Sequence, residues 1–256
     1  MNDLALKWYK ILNFPEEFDS EFESNINRDI NLCDEKERNL IDMLCRCEAL
    51  KEEYTKHGIP EDILMDTLSD IVCWSKTCKK LTGKLGLIET FWISKHMDFK
   101  LFKLGRLQFT FGQAKINCSK HNLYEGDNIL EIHIQEGGPL TPESCIDSIK
   151  KAEDFFHRYF PEYDYKCFTC HSWLLNEELK LFLKPDSNIL KFQKLYDIVD
   201  REESDNAILY IFRWGITKEE VLNYECSNNL QKAIQNHVIN GGKLYIATGI
   251  VEKNTY

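Results

Sequence analysis

The spacing of the apolar residues changes near residue 100, and this change restricts the folds that the chain can adopt. From Asp34 to Gly86 the apolar residues recur at the spacing of amphipathic helices. One predicted helix stops at His57 and Gly58, and the next begins at Pro60, because Gly suits a helix end and Pro suits the first helical turn. The first hundred residues are therefore predicted to be mostly helical.

Beyond residue 100, short β-branched and aromatic runs alternate with turns and with helical segments. The predicted strands are Leu101–Phe111, Gln113–Cys118 and Ile129–Ile134, which form a meander, and Cys167–Leu175, Ala207–Trp214 and Lys243–Val251. The predicted helices are Pro142–Phe160, Asn176–Leu183, Ser187–Val199 and Lys218–Val238. The expected fold is mixed α/β (α+β), with a helical domain over residues 1–100 and a mixed sheet with helices on both faces over residues 101–256.

The acidic charge of the chain is concentrated at its start. Residues 1–70 hold eight Lys and Arg against 18 Asp and Glu, which equals the net charge of the whole chain, −10. Nucleic acid is therefore an unfavourable partner, because phosphate backbones bind clustered basic residues. The apolar runs are far shorter than the roughly 20 residues of a spanning helix, and the start lacks a secretory signal pattern. We expect no membrane partner, a cytoplasmic location and ten cysteines without disulfides.

Two ionisable residues lie on one face of the strand predicted at Ile129–Ile134. Glu131 and His133 alternate with Leu130 and Ile132, and alternate residues of a strand share a face. A His or a carboxylate of raised pKa suits proton transfer near neutral pH, so the pair is a candidate general base. The alternative is a polar strand face that points into solvent.

The loop after this strand is a candidate anion site. It contains Gly137 and Gly138, and it leads into a helix with Thr141 as the expected N-cap and Pro142 as its first residue. Free amides at a helix start, approached past glycines, can bind a pyrophosphate. The nearby acidic residues Glu136 and Glu143 have the wrong sign for that role, so a capped turn without a ligand is the alternative.

The sequence Cys167-x-x-Cys170-His171 has the spacing of a covalent haem attachment site. Haem attachment would require export, for which the chain has no signal, so no haem is expected. Residues three apart in a strand face opposite ways, so the two thiols do not form a zinc pair and no metal is expected. A Cys170 nucleophile with His171 as its base is disfavoured, because neighbouring side chains on a strand diverge.

Three further residues are candidates for a ligand site. Ser172 lies near the end of the strand predicted at Cys167–Leu175, and strand ends in α/β sheets commonly carry ligands. Asn188 could donate a hydrogen bond to a ligand, and Tyr196, on the helix predicted at Ser187–Val199, could donate a proton. The alternative for this segment is a capped helix that packs in the core.

Four segments are distinctive when taken together: LFKLGRLQF, LEIHIQEGGPLTPESC, CHSWLL and SNILKFQ. They resemble the GNAT-like acyltransferases, which pair a helical N-acyltransferase N-terminal domain with a GNAT-like C-terminal domain. The resemblance implies that acyl-CoA lies between the fourth and fifth strands of the family's sheet.

The resemblance also implies roles for the candidate residues. Gln135 matches the first position of the family's pyrophosphate turn, and the amides from Gly137 through Leu140 to Thr141 would hold the pyrophosphate. Glu131 or His133 would deprotonate the acceptor amine, and Tyr196 would protonate the departing thiolate.

The predicted function is an N-acyltransferase that uses acetyl-CoA or another acyl-CoA and a small-molecule or peptide amine. A second hypothesis is a non-catalytic binding protein of the same fold that has lost the cofactor turn, because Pro139 has no amide to donate. A third is a hydrolase that uses Ser172 and His171. The sequence leaves the oligomeric state open.

Overall fold

Amphipathic helices form the first part of the computed structural model, which describes residues 2–256 and divides into one compact unit that ends at Leu104 and a second over Gly105–Tyr256. Its helices are α1 (Asn2–Ile11), α2 (Asp19–Asn27), α3 (Glu35–His57), α4 (Glu61–Thr82) and α5 (Thr90–Met97). Short 3-10 turns lie at Glu16–Phe18 and Ile30–Leu32. The prediction of a mostly helical start is confirmed, and α3 ends at His57 as the sequence indicates, with Gly58 in the left-handed conformation at φ 68°.

Six strands form one mixed sheet in the order β1–β2–β3–β4–β6–β5. The strands are β1 (Leu101–Leu104), β2 (Leu107–Gln113), β3 (Asn128–His133), β4 (Cys167–Ser172), β5 (Asp197–Glu203) and β6 (Tyr245–Glu252). The pair β3–β4 is parallel, whereas β2–β3, β4–β6 and β5–β6 are antiparallel. The predicted fold class, a helical region followed by a mixed sheet with helices, is confirmed.

Five helices accompany the sheet. They are α6 (Pro142–Tyr159), α7 (Asn188–Gln193), α8 (Asn206–Ile211), α9 (Lys218–Val221) and α10 (Asn229–Ile239), and 3-10 turns lie at Ser119–His121, Trp173–Leu175 and Glu177–Leu181. Helix α6 is predicted correctly to within one residue. The segment predicted as one helix over Lys218–Val238 is instead α9 and α10, which are separated by residues 222–228.

The predicted boundaries of the meander are wrong at two points. The segment Leu101–Phe111 is two strands, because Gly105 turns the chain with a φ of 79° that glycine adopts without strain. The segment Gln113–Cys118 is not a strand, since β2 ends at Gln113 and the chain then leaves the sheet until Asn128. The meander consists of β1, β2 and β3.

The segment Ala207–Trp214, predicted as a strand, contains helix α8. Its buried residues Ala207, Ile208, Ile211 and Phe212 follow helical spacing, whereas Tyr210 is exposed. A short continuous apolar run does not by itself distinguish a buried strand from a buried helix.

Strand β5 is the element that the sequence did not predict. Residues 187–199 were expected to be helical, but α7 ends at Gln193 and β5 begins at Asp197. Because β5 is an edge strand with four consecutive exposed residues, its sequence DIVDREE carries no alternating apolar pattern. The residues predicted as a helix over Asn176–Leu183 form a 3-10 turn, and the strand predicted at Cys167–Leu175 ends at Ser172.

The two central strands, β3 and β4, are paired over only part of their length. The register of β3 with β4 covers two pairs, Leu130 with Phe168 and Glu131 with Thr169. Strand β3 then continues to His133 and β4 to Ser172, each still paired on its outer side with β2 and β6 respectively. The two strands therefore separate immediately after Glu131.

The register also assigns side chains to the two faces of the sheet. Directly opposite residues of paired strands share a face, so Thr110 lies on the same face as Glu131, and Phe111 lies with Leu130 on the other. The ring of Phe111 packs edge-on against Phe156 of α6 at a centroid distance of 5.3 Å. Helix α6 thus covers the apolar face, and the Glu131 face is the polar one.

Within residues 2–256, no helix combines the length and the apolar character that crossing a membrane requires.

The side chain of His121 bonds to the first residue of β5 and to the last residue of β6. His121 lies in the 3-10 turn before β3, with its side chain 8% exposed, and it contacts Asp197 at 2.6 Å and Glu252 at 2.7 Å. Burial alone would lower the pKa of His121, but the hydrogen bonds and negative charges of Asp197 and Glu252 outweigh burial and raise it above 6.5. The charged form therefore stabilises the fold below the unfolded pKa, and this contribution is lost as the pH rises through the folded pKa.

We expect His121→Gln to lower the free energy of unfolding by about 1 kcal/mol at about pH 5.5, because the ion pairs have partly exposed partners. At alkaline pH the loss should be smaller, because the stabilisation by the charged imidazole declines as the pH rises through the raised folded pKa. Urea unfolding at both pH values measures the difference, with His157→Gln on the exposed side of α6 as the control. An equal loss at both pH values would contradict the charged bridge.

Candidate functional site

The candidate general base residues lie together on β3. The side chains of Glu131 and His133 point to the same face, as predicted, with 3.4 Å between Glu131 Oε2 and His133 Nε2, and each side chain is 28% exposed. Thr110, directly opposite on β2, donates its hydroxyl to Glu131 Oε2 at 3.1 Å and lies 3.4 Å from His133 Nε2. The predicted pair is thus a carboxylate–imidazole couple fixed by a buried threonine that the sequence did not single out.

A glycine makes room for the Glu131 side chain. A Cβ atom on Gly112 would lie 2.7 Å from Cγ of Glu131 and 2.9 Å from its Cδ, closer than side chains normally approach. Glu131 therefore lies across the backbone of β2. The signal in the sequence is a lone glycine inside an apolar strand, which often marks a close approach of another group.

A cleft of about 650 Å³ adjoins Glu131 on the side away from His133. It is lined by Phe111, Gly112, Gln113, Ala114, Lys115, Glu125, Gly126, Asn128, Glu131 and Tyr163. The hydroxyl of Tyr163 lies 2.8 Å from the Gly112 carbonyl and 2.9 Å from the Ile129 carbonyl, and it accepts from the Gly112 amide at 3.2 Å. Tyr163 thereby connects β2 and β3 at the end of the cleft.

The loop between β3 and α6 forms the predicted glycine turn. Gly137 and Gly138 are exposed and have φ values of 106° and 65°, which residues other than glycine rarely adopt. Thr141 is the N-cap, as predicted, and its hydroxyl accepts from the Ser144 amide at 3.2 Å. Gln135 and Leu140 are buried on either side of the turn, so they anchor it while the glycine backbone remains exposed.

Arg106 lies beside this turn, although the sequence did not indicate it. Its guanidinium donates to the Gln135 carbonyl at 3.0 Å and to the Gly138 carbonyl at 3.2 Å. The sequence predicts residues 101–111 as one strand, and a strand in that register does not indicate a turn at Arg106. The Gly-Arg pair between two apolar runs was the available signal of a hairpin turn.

Tyr196 lies on the opposite face of the sheet from Glu131, and it follows α7 instead of lying on a helix as predicted. It packs over β6, where a Cβ on Gly249 would lie 2.7 Å from the Tyr196 Cβ. Its hydroxyl is fully buried, makes no conventional hydrogen bond within residues 2–256, and interacts with the thiol of Cys170, a weak partner. Burial raises the pKa of Tyr196 well above its ordinary range, so the phenol keeps its proton.

The contact with Cys170 places Tyr196 near the point where β3 and β4 separate. Cys170 follows Thr169, the last β4 residue paired with β3, so Tyr196 contacts β4 where the two strands part. Burial raises the pKa of the Cys170 thiol to about 12, which leaves it a poor nucleophile near neutral pH.

The remaining candidates have structural partners. The Ser172 hydroxyl accepts from the Leu174 amide at 3.2 Å and caps the next 3-10 turn, whereas His171 faces the other side of β4 and bonds Thr248 at 2.9 Å. The two residues do not form the nucleophile–base pair of a hydrolase. Asn188 is the first residue of α7, and the N-cap is its neighbour Ser187.

Cys167 and Cys170 lie three residues apart in β4 and therefore face opposite sides of the sheet. Over the described residues 2–256, no three His, Cys, Asp or Glu side chains are grouped so that they could hold a metal ion.

Three solved structures are similar to this chain. An acyltransferase in complex with decanoyl-CoA is 30% identical with a TM-score of 0.72, and the match covers 84% of this chain and 65% of that one. An acyltransferase in complex with CoA and 10C-teicoplanin is 25% identical with a TM-score of 0.73, over 85% and 66% of the two chains. A third, an acyltransferase in complex with decanoyl-CoA and teicoplanin, is 22% identical with a TM-score of 0.77 over 97% and 87%, and shows the shared fold.

The chain thus spans about 65% of the length of the first of these relatives. A search of curated proteins finds no match.

Two family models match the sequence. The N-acyltransferase N-terminal domain matches residues 21–99, and the GNAT-like C-terminal domain matches residues 101–251, which is more than half of the chain. The resemblance noted in the sequence is confirmed, and the chain belongs to the family of GNAT-like acyltransferases.

Proposed function

We propose that this protein transfers an acyl group from acyl-CoA to an amine, and that the site lies in residues 101–256. The observation that carries the proposal is the separation of β3 from β4 immediately after Glu131. The same strand supplies the Glu131–His133 couple and leads directly into the glycine turn before α6. A proton acceptor and an anion-binding turn thus adjoin one opening in the sheet.

The glycine turn fits the pyrophosphate of CoA. Gly137 and Gly138 carry no side chain that would shield their amides, and both are exposed. The amides of Leu140 and Thr141 follow at the start of α6, where the helix dipole favours negative charge. Gln135 would hold the turn in place, and Asn188 would contact the ligand from the start of α7.

Acyl-CoA supplies an activated thioester, and the protein supplies proton transfer. The Glu131 carboxylate, assisted by His133, would accept the proton that the amine loses as its new C–N bond forms. The Tyr196 phenol, which contacts β4 where β3 and β4 part, would donate a proton to the sulfur as the C–S bond breaks and would regain one from solvent afterwards. The products of these steps are an amide and a free thiol. Ser172, which caps a 3-10 turn, would act at most as a neighbouring hydroxyl.

The choice of substrates rests on the relatives. One 30% identical relative was solved with decanoyl-CoA, which supports medium-length acyl groups in addition to acetyl for this chain. A relative at 25% identity was solved with 10C-teicoplanin, which supports a small-molecule or peptide amine as the acceptor. The cleft beside Glu131, about 650 Å³ in volume, is the proposed acceptor site. The cytoplasmic location remains a prediction.

A second candidate function is a non-catalytic binding protein of the same fold. It is favoured by Pro139, which lacks an amide within the turn itself. This alternative predicts that the protein has no affinity for CoA.

Titration calorimetry with acetyl-CoA, octanoyl-CoA and decanoyl-CoA separates the two functions. We expect all three to bind, and decanoyl-CoA to bind at least about tenfold more tightly than acetyl-CoA, because each buried methylene group adds to the affinity. A flat titration with every acyl length would favour the non-catalytic alternative.

Glu131→Gln should lower the rate of thiol release from decanoyl-CoA in the presence of a primary amine by about 10²- to 10⁴-fold, the usual contribution of a general base. Its affinity for decanoyl-CoA should stay within about twofold of wild type, since Glu131 is not placed at the turn. Glu219→Gln is the control, because Glu219 is an exposed carboxylate on α9 that does not line the cleft. Equal rates for Glu131→Gln and wild type would exclude Glu131 as the base.

Gly112→Ala should displace the Glu131 side chain, because the added Cβ would lie 2.7 Å from its Cγ. We expect slower thiol release with unchanged affinity for decanoyl-CoA. In the Glu131→Gln background the same alanine should have little further effect, since the base is already absent. Additive losses in the double variant would mean that Gly112 acts through something other than Glu131.

A further inference from the structure

The backbone of the β1–β2 turn is hydrogen-bonded to a side chain in the first half of α6. The hydroxyl of Ser148, a fully buried residue of α6, accepts from the Arg106 amide at 2.7 Å and from the Leu107 amide at 3.2 Å, and it donates to the Ser144 carbonyl at 2.9 Å. A Cβ on Gly105 would lie 2.9 Å from this hydroxyl, so the turn can lie this close only with glycine there. The position of Arg106 is therefore fixed relative to the start of α6.

From this position the Arg106 guanidinium reaches the glycine turn and donates hydrogen bonds to two of its carbonyl oxygens. One nitrogen donates to Gln135 O at 3.0 Å and another to Gly138 O at 3.2 Å. Hydrogen bonds from a charged donor are stronger than those between neutral groups. Two carbonyl oxygens of the turn are thus directed toward Arg106.

The direction of these carbonyls determines where the amides point. In a planar trans peptide the C=O and the following N–H point in opposite directions, and no peptide bond within the described residues 2–256 is cis. With the Gln135 carbonyl on Arg106, the Glu136 amide points away from it. The Gly138 carbonyl belongs to the peptide bond with Pro139, which has no N–H, so Arg106 binds the carbonyl of the one peptide unit of the turn that offers no donor.

We propose that Arg106 is a positioning residue for the pyrophosphate of CoA. It holds two carbonyl oxygens away from an incoming anion, orients the amide of Glu136, and adds a positive charge beside a turn that itself carries the acidic residue Glu136. This inference rests on the proposed function, because it assigns Arg106 to the turn that would bind acyl-CoA.

The test compares ligands with and without the pyrophosphate. Decanoyl-CoA and 3′-phospho-ADP carry it, whereas decanoyl-pantetheine has the acyl chain and thioester arm alone. We expect Arg106→Met to raise the Kd of both pyrophosphate ligands by about tenfold or more, since two charge-assisted hydrogen bonds that shape the turn are lost. The affinity for decanoyl-pantetheine should stay within about twofold, and Arg106→Lys should lie between Arg106→Met and wild type.

Lys151→Met is the matched control, because Lys151 is also a cation of this region, on α6, but it pairs with Asp147 and not with the turn. It should bind all three ligands like wild type, and thermal unfolding should show all variants folded. If Arg106→Met is unfolded, the Kd values of the pyrophosphate ligands for Arg106→Lys and for wild type are compared instead, and a higher Kd for Arg106→Lys is the expected result. Unchanged Kd values for decanoyl-CoA, or an equal loss for decanoyl-pantetheine, would overturn the role of Arg106. Absence of decanoyl-CoA binding by the wild type would instead overturn the proposed function.

Discussion

The parallel contact between β3 and β4 covers two residue pairs, Leu130 with Phe168 and Glu131 with Thr169, and the rest of the site depends on where it stops. Beyond it, β3 remains paired with β2 through His133, and β4 remains paired with β6 through Ser172. Each strand end is therefore held from its outer side, so the sheet can open at its centre without leaving either strand unsupported. An opening of this kind exposes backbone groups and side chains of both strands to a ligand, which a continuously paired sheet does not.

Two glycines allow bulky polar side chains to lie against the sheet near this opening. Gly112 lies beneath Glu131 on the polar face, and Gly249 lies beneath Tyr196 on the other face, and in each case an added Cβ would lie 2.7 Å from the neighbouring side chain. The environments of the two residues differ. Glu131 is partly exposed and accepts a hydrogen bond from Thr110, whereas Tyr196 is fully buried and its pKa is raised. The two groups thus differ in protonation-relevant environment, since Glu131 is reached by solvent and the Tyr196 hydroxyl is not.

The backbone of the glycine turn is held by a side chain from another part of the sheet. Glu136 contributes negative charge and Pro139 has no backbone N–H, while the carbonyls of Gln135 and Gly138 both accept hydrogen bonds from Arg106. Arg106 is in turn held in place by Ser148, whose hydroxyl connects the β1–β2 turn to α6. Residues from the β1–β2 turn and from α6 therefore act together on a segment of seven residues, Gln135 to Thr141.

Local patterns in the sequence determined much of this protein: the helical period before residue 100, the Thr141-Pro142 start of α6, and the alternation that puts Glu131 and His133 on one face. These features depend on spacing along the chain, because a helix or strand sets the direction of each side chain from its own period. The same local information misassigned α8, whose apolar run suits either element, and missed β5, whose exposed edge position removes the alternating pattern. Only the tertiary structure decided that Thr110 lies against Glu131, that Arg106 reaches Gln135 and Gly138, and that β3 and β4 part after Glu131. Those contacts join residues that are distant in sequence. The choice of strand partners, and the point where their pairing stops, depends on the packing of the whole sheet, so no single segment of the sequence carries a signal for either.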